Sequence, residues 1–269
     1  MILSPTRYMA TDSYSAAVVG AAAFAACDSL HELGHFAAAQ LSLQVTVLSI
    51  SSVAVSTSAS SPFVAFAGPL ANLLLASTLL LARSAQTSAN WRYFAWLFGS
   101  LNLFNLTAYL LYSALLDSGD WAVVFNSLGP ALLWRPVAGL AGVVLYTGSV
   151  FASLSMIRML IATSALSQAQ AKRYCLSAYW AGGSLLVVAS ALNPISPWLT
   201  LTSGVATGFG AMAGLAVIGA LLNSTAPERS PLDGQCVHFD RTWIISCIVA
   251  SLTFVVVLGR GIQFIPSGV

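Results

Sequence analysis

Residues 31–35 of the chain, His-Glu-Leu-Gly-His, have the types and the spacing of a hydrolytic zinc site. Residues four apart on a helix project from one face, so the imidazoles of His31 and His35 can reach the same metal ion. Glu32 lies beside them, where its carboxylate can take a proton from a water molecule. The pentapeptide therefore predicts metal-assisted hydrolysis, with two histidine ligands and Glu32 as the catalytic base.

The alternative interpretation is a chance match, or two histidines that only satisfy hydrogen bonds in a core. The chain has only three His and two Glu, yet two of the former and one of the latter fall within these five positions. Each ionisable group in a membrane helix costs roughly 2.5 to 3.5 kcal/mol. Zinc binding contributes on the order of 10 kcal/mol in small sites and can offset that cost. We therefore prefer the metal-binding interpretation.

A hydrolytic zinc site needs a third protein ligand and an open position for water. His238 lies in the charged segment "PERSPLDGQCVHFDR", which favours a solvated surface residue. The remaining candidates are Asp117 and Asp120 in "SALLDSGDWAVV". Asp28, one turn before His31, is better placed to accept a histidine N–H than to bind the metal.

The composition of the chain indicates what must position these residues. Of the 269 residues, 58% are hydrophobic and 7% are charged, with a mean hydropathy of +0.84, whereas soluble domains are about one quarter charged. The chain is therefore predicted to be an integral membrane protein. The net charge of +2 and the scattered basic residues argue against nucleic-acid binding. The four cysteines include no Cys-x-x-Cys and indicate neither a disulfide framework nor a cysteine zinc site.

Apolar runs near the roughly 20 residues needed to cross a bilayer predict an all-α polytopic membrane protein with six or seven transmembrane helices. The runs cover about 14–40, 62–82, 93–116, 137–162, 175–193, 199–223 and 242–259. The count is six if the run at 175–193 is interfacial. The uncharged segment 41–60 is rich in β-branched residues and partly alternates, which predicts a short β-hairpin, with a polar linker as the alternative.

Three motifs, in this order, resemble the site-2 protease family of intramembrane zinc metalloproteases. They are "HELGHFAAA", "FAGPLANLLLA" from Phe66 to Ala76, and "FNLTAYLLYSALLDSGDW" from Phe104 to Trp121. The resemblance covers about residues 14–125. It implies a zinc metalloprotease core of three helices and a hairpin within 1–125, followed by accessory helices in 126–269. It also implies that an aspartate of the third motif completes a Zn²⁺ site.

The third motif departs from the family pattern. The family has Asn-x-x-Pro and then Leu-Asp-Gly, whereas here Asn105 is followed three positions later by Ala, and Asp117 is followed by Ser. Divergent bacterial members end this span with Gly-Asp-Trp, which matches residues 119–121. That register favours Asp120 as the third zinc ligand, with Asp117 as the alternative.

The resemblance also implies the partners and the remaining site residues. The substrate would be a transmembrane protein or peptide in the lipid bilayer of a bacterial cytoplasmic membrane. Segment 41–60 would be a re-entrant hairpin on which the extended substrate pairs main chain to main chain. Asn72, Asn102 and Asn105 would be buried amides near the metal or the substrate, with interhelical hydrogen bonds as their alternative role. The oligomeric state stays open.

Water must reach such a site, so we expect a polar cavity among the first three spans. Tyr109 and Tyr112 are interpreted mainly as packing residues that could also line it or donate a hydrogen bond to the developing oxyanion. The basic residues of the loops place the N-terminus in the cytoplasm. That orientation puts His31 and His35 nearer the outer leaflet, whereas the resemblance puts them nearer the cytoplasm, and the orientation stays open.

Three other functions compete with proteolysis. A metal transporter should carry ionisable residues at matching positions of two repeats, but the last three spans carry essentially none. A metal-binding scaffold or regulator would need no catalytic base, so Glu32 argues against it. A non-proteolytic hydrolase would keep the same site and act on a different substrate.

Overall fold

The structure is a computed structural model and describes residues 5–84, 86–193, 197–222 and 236–264. Seven of its helices are long and apolar enough to cross a membrane. They cover Ser13–Leu41, Pro62–Arg83, Ala89–Leu116, Ala131–Ala162, Gln168–Ala191, Thr200–Leu221 and Arg241–Leu258. The protein is therefore helical and polytopic, as predicted, with the larger of the two predicted span counts.

The described residues form nine helices and three strands. They are α1 (Pro5–Leu41), β1 (Val47–Ile50), β2 (Val55–Thr57), α2 (Pro62–Ala76, continued by a 3₁₀ helix over Ser77–Arg83), α3 (Ala89–Leu116), α4 (Asp120–Asn126), α5 (Ala131–Ala162), α6 (Gln168–Ala191), α7 (Pro197–Leu199, continued by a π-helix over Thr200–Ala211), α8 (Ala213–Leu221), α9 (Arg241–Thr253, continued by a π-helix over Phe254–Leu258) and β3 (Ile262–Gln263).

Helix α3 is the central helix of the bundle. Of the 18 most apolar consecutive residues of α3, 67% are buried, whereas 11% of the corresponding residues are buried in the last span. Trp96 and Phe104 of α3 are fully buried, and the Trp96 indole donates to the Ser153 carbonyl of α5 at 2.9 Å. Burying the apolar rings while pairing the indole N–H holds α3 and α5 together. The third motif thus sits on the best-packed helix.

Small residues let α1 and α6 approach closely. A Cβ at Gly20 of α1 would overlap the backbone of Ala178, and a Cβ at Gly182 of α6 would overlap the ring of Phe24. Transmembrane helices use such positions because close packing, rather than the hydrophobic effect, stabilises their association. The helix that carries the histidines therefore packs directly against α6 through Gly20 and Phe24.

The predicted hairpin is present within segment 41–60. Strands β1 and β2 pair in antiparallel register, with Val47 opposite Thr57 and Ile50 opposite Val55. A third strand, β3, which was not predicted, follows the last span and pairs with β1 at Ser49 and Gln263. The strand order is β2-β1-β3. Among the described residues, the outer edge of β2 therefore has no strand partner.

Candidate metal centre

The two histidines of the first motif converge because α1 continues through them without interruption. His31 and His35 lie one turn apart, with their ring centroids 4.7 Å apart and nearly perpendicular. Their Nε2 atoms are 3.1 Å apart. Both residues are buried, with 6% of their surface exposed. The spacing expected from the sequence therefore brings two nitrogen atoms to one point inside the bundle.

A sharp turn at the end of α3 brings in the third motif. Asp117 adopts a left-handed conformation (φ 51°), and its N–H bonds back to the Ser113 carbonyl at 2.9 Å. Gly119 follows with φ 84°, a region that favours glycine. The chain reverses there, and Asp120 opens the short helix α4.

The turn separates the two candidate aspartates. Asp120 Oδ2 lies 3.2 Å from His31 Nε2 and 3.3 Å from His35 Nε2. Asp117 is exposed and accepts a hydrogen bond from Asn126 at 3.1 Å. Of the two residues, the structure thus brings Asp120 to the histidines, while Asp117 faces outward.

The three converging atoms fit a metal ion. They are 3.1 to 3.3 Å apart, and tetrahedral ligands at about 2.0–2.1 Å from zinc lie about 3.3 Å from one another. Burial alone would raise the pKa of the Asp120 carboxyl, but the imidazoles of His35 and His31 hold that pKa below its usual range. Asp120 is therefore ionised, which is the form that binds a metal. The buried group His31, His35 and Asp120 could hold a metal ion.

Helix α2 fixes the orientation of both imidazoles. His35 Nδ1 donates to the Val64 carbonyl at 2.7 Å, and His31 Nδ1 faces the Asn72 amide oxygen at 3.3 Å. Hydrogen bonds on Nδ1 leave Nε2 directed at the site, which is how ligating histidines are usually held. The expected place of Asn72 beside the metal ligands agrees with this geometry.

The expectation that Asp28 accepts a histidine N–H is wrong. Its Oδ2 atom is buried with no hydrogen-bond partner in the described part of the chain, because both Nδ1 atoms face α2 instead.

Gly68 in the second motif provides the space for both rings. A Cβ at this position would overlap the His35 imidazole and lie 2.7 Å from His31 Cε1. Gly34 of α1 likewise faces the Ala67 carbonyl, 2.8 Å from where its Cβ would be. The glycines of "HELGH" and "FAGPLAN" thus let α1 and α2 meet directly at the site.

The other two asparagines lie away from the site. The Asn102 side-chain NH₂ donates to the Phe98 carbonyl of its own helix at 2.8 Å. This hydrogen bond lies within α3 and does not join two helices. Asn105 is buried, and its Oδ1 has no hydrogen-bond partner within the described ranges. Neither residue lines the cavity at the candidate metal centre. The expectation that they bind substrate is therefore not met.

A cavity of about 320 Å³ opens on the three converging residues. Its walls come from α1, the hairpin, the start of α2, and the end of α3 with α4, which agrees with the polar cavity expected among the first three spans. The sixth span also contributes Trp198, Thr202 and Ser203, which sequence analysis missed. The Ser203 hydroxyl donates to the Val53 carbonyl at 3.4 Å and ties this span to the hairpin.

Glu32 lines the same cavity but lies outside the three-residue group. The Val55 backbone N–H of β2 faces its carboxylate. The second oxygen, Oε2, is buried without a hydrogen-bond partner in the described ranges. No described group competes for this oxygen.

Comparisons of the chain with protein-family models, curated proteins and solved structures find no match. The fold and the site define the class, which is a multi-pass membrane protein with a buried His-His-Asp group that could hold a metal ion.

Proposed function

We propose that this protein is an intramembrane zinc metalloprotease, similar to the site-2 proteases, that hydrolyses peptide bonds of membrane-embedded substrates. The observation that carries the proposal is the convergence of His31, His35 and Asp120 at 3.1 to 3.3 Å, beside Glu32 and a cavity. Two imidazoles and one carboxylate leave a fourth tetrahedral position open, as catalytic zinc sites do.

The donor set favours zinc over other common cations. Mg²⁺ and Ca²⁺ prefer all-oxygen sites, whereas two neutral imidazoles with a carboxylate suit Zn²⁺. When bound, zinc would act as a Lewis acid that polarises the scissile carbonyl and lowers the pKa of a coordinated water. His31, His35 and Asp120 would hold it, and the hydrogen bonds from α2 would keep both rings in place.

The residues around the cavity supply the remaining steps. Glu32 takes a proton from the attacking water and delivers it to the leaving amide nitrogen, so that water adds across the C–N bond. The backbone N–H of Val55 faces the carboxylate of this base. The outer edge of β2 borders the cavity through Val55 and Thr57, and an extended substrate would pair along this edge.

The place of the site in the fold supports a membrane-embedded substrate. All three proposed ligands and the base come from, or adjoin, helices of membrane-spanning length. A peptide bond in a transmembrane helix is shielded by its own hydrogen bonds, so it must unwind before attack. Residues 1–125 hold every proposed catalytic and metal-binding residue, and 126–269 provide the accessory helices.

The first experiment measures zinc per chain in detergent-purified protein. Wild-type protein should hold about one zinc, because the site has one set of three ligands. His35→Ala and Asp120→Ala should each lose it, while Asp117→Ala, the matched control three residues away, should keep it. Wild-type protein that stays metal-free after zinc-replete, chelator-free purification would refute the proposal.

A second measurement separates the protease from a metal-binding scaffold. Glu32→Gln keeps the size of the side chain and removes the base. The variant should bind zinc like the wild type, yet fail to cleave labelled transmembrane peptides reconstituted in bicelles. Equal cleavage by both proteins would contradict the assignment of Glu32, and zinc binding without any cleavage by the wild type would favour the scaffold.

A further inference from the structure

The hydroxyl group of Tyr109 is a polar group at the cavity that has no role in metal binding or proton transfer. We propose that Tyr109 is a catalytic residue that donates a hydrogen bond to the oxyanion formed when water attacks the scissile carbonyl. The inference rests on the proposed function and adds a residue to it. From the sequence alone, packing is the preferred interpretation of this tyrosine and donation to the oxyanion is the alternative.

The position of Tyr109 supports this role. Its ring packs edge-on against the His31 imidazole, with centroids 6.0 Å apart and planes at 70°. Its hydroxyl lies within electrostatic range of the Asp120 and Glu32 carboxyls, and the residue lines the cavity with them. The side chain is therefore on the same wall as the proposed ligands and the base.

The hydroxyl is free to donate. Tyr109 makes no hydrogen bond within the described ranges, and its oxygen is not among the buried atoms that lack a partner. The hydroxyl therefore reaches open space in the cavity. A hydroxyl that has no partner in the protein and reaches a reaction cavity can donate to a group that enters it.

Two contacts hold the ring in this place. Tyr112, one turn later, stacks on Tyr109 with centroids 5.4 Å apart and planes at 14°. Gly119 lies beneath both, because a Cβ there would be 3.2 Å from Tyr109 Cε1 and 3.4 Å from Tyr112 Cε1. The glycine that turns the chain towards Asp120 thus also lets the tyrosine ring approach the site.

The chemistry balances without transfer of the phenolic proton. The water oxygen forms a bond to the carbonyl carbon, the π electrons move to the carbonyl oxygen, and Glu32 takes the water proton. The Tyr109 O–H then donates to that oxygen, which carries the new charge. Collapse re-forms the carbonyl, breaks the C–N bond and passes the proton from Glu32 to the nitrogen, and the tyrosine is unchanged.

The test compares affinity for a tetrahedral anion with affinity for a planar amide. The probe is a fluorescent Leu/Ala-rich transmembrane peptide with a central phosphinate, and its all-amide parent is measured in a Glu32→Gln background so that it stays intact. Removing one oxyanion donor costs about 10²–10³ in rate in known hydrolases. We expect Tyr109→Phe to bind the phosphinate at least tenfold more weakly, with zinc content and affinity for the parent peptide within threefold of the unsubstituted protein.

Each other outcome has a separate meaning. Equal phosphinate affinity in Tyr109→Phe overturns the role of Tyr109 and leaves the protease proposal standing. A parallel loss of parent-peptide affinity or of zinc also overturns it, because the residue would then be structural. A larger loss in Tyr112→Phe overturns the choice between the two tyrosines. Wild-type protein that holds zinc but does not bind the phosphinate overturns the proposed function and this inference together.

Discussion

Substituting Gly68 by alanine should distort the candidate metal centre without touching a ligand. The new Cβ would overlap the His35 ring and lie 2.7 Å from His31 Cε1, about 1 Å closer than carbon atoms normally pack. The new Cβ and the imidazole carbons would reach a normal contact distance only if the imidazoles or α2 moved by about 1 Å. Metal–ligand distances tolerate about 0.2 Å, so neither adjustment keeps the geometry.

The expected cost follows from overpacking in a close-packed interior, which is about 1 to 3 kcal/mol. We expect that free energy to appear as a 5- to 150-fold loss of zinc affinity, since about 1.4 kcal/mol is tenfold. The assay is competition with a chromophoric zinc chelator in detergent, with thermal unfolding of the metal-free protein measured in parallel. Gly148→Ala is the control, because a Cβ there meets nothing within 4 Å. Wild-type zinc affinity in Gly68→Ala would refute the reasoning.

Three further outcomes are expected. Asn72→Ala should lower zinc affinity about 10- to 100-fold, because His31 loses the amide that faces its Nδ1. Competition with a chelator measures this affinity, and a wild-type value would contradict the prediction. Gly119→Ala should lower both the midpoint of thermal unfolding and zinc retention, because the φ of 84° strains a residue with a Cβ and that Cβ would lie 3.2 Å from Tyr109 Cε1. An unchanged unfolding midpoint would contradict the expected backbone strain. Zinc should leave the wild-type protein as the pH falls, because protons compete with the metal for the ligating imidazoles. Zinc content after dialysis at graded pH measures this, and a content that does not depend on pH would contradict it.

The seven spans and the hairpin could be predicted because their signals are local. An apolar run long enough to cross a bilayer can be recognised without information about the rest of the chain. The predicted ends lie within a few residues of the observed helix ends, except at 93, 137 and 175, where the helices begin earlier. His31, Glu32 and His35 are likewise placed by the periodicity of a single helix. No long-range information is needed for any of these.

The rest of the site depends on contacts between distant segments. Asp117 and Asp120 are indistinguishable by residue type, and what separates them is the left-handed turn between α3 and α4. The partners of the imidazoles, Val64 and Asn72, lie on α2, and nothing in the sequence near His31 distinguishes them from Asp28. The contribution of the sixth span to the cavity wall is indicated in the sequence by one feature, the polar pair Thr202 and Ser203 within an apolar run.

Strand β3 has a consequence for the order in which the protein is made. It pairs with β1 across more than 200 residues of sequence, with Gln263 opposite Ser49. A ribosome completes the histidine helix and the hairpin long before it reaches β3, so a nascent chain carries an incomplete sheet until the seventh span has been synthesised. The three-stranded sheet that contains the hairpin is therefore completed last, and the earlier spans can be inserted before β3 is in place.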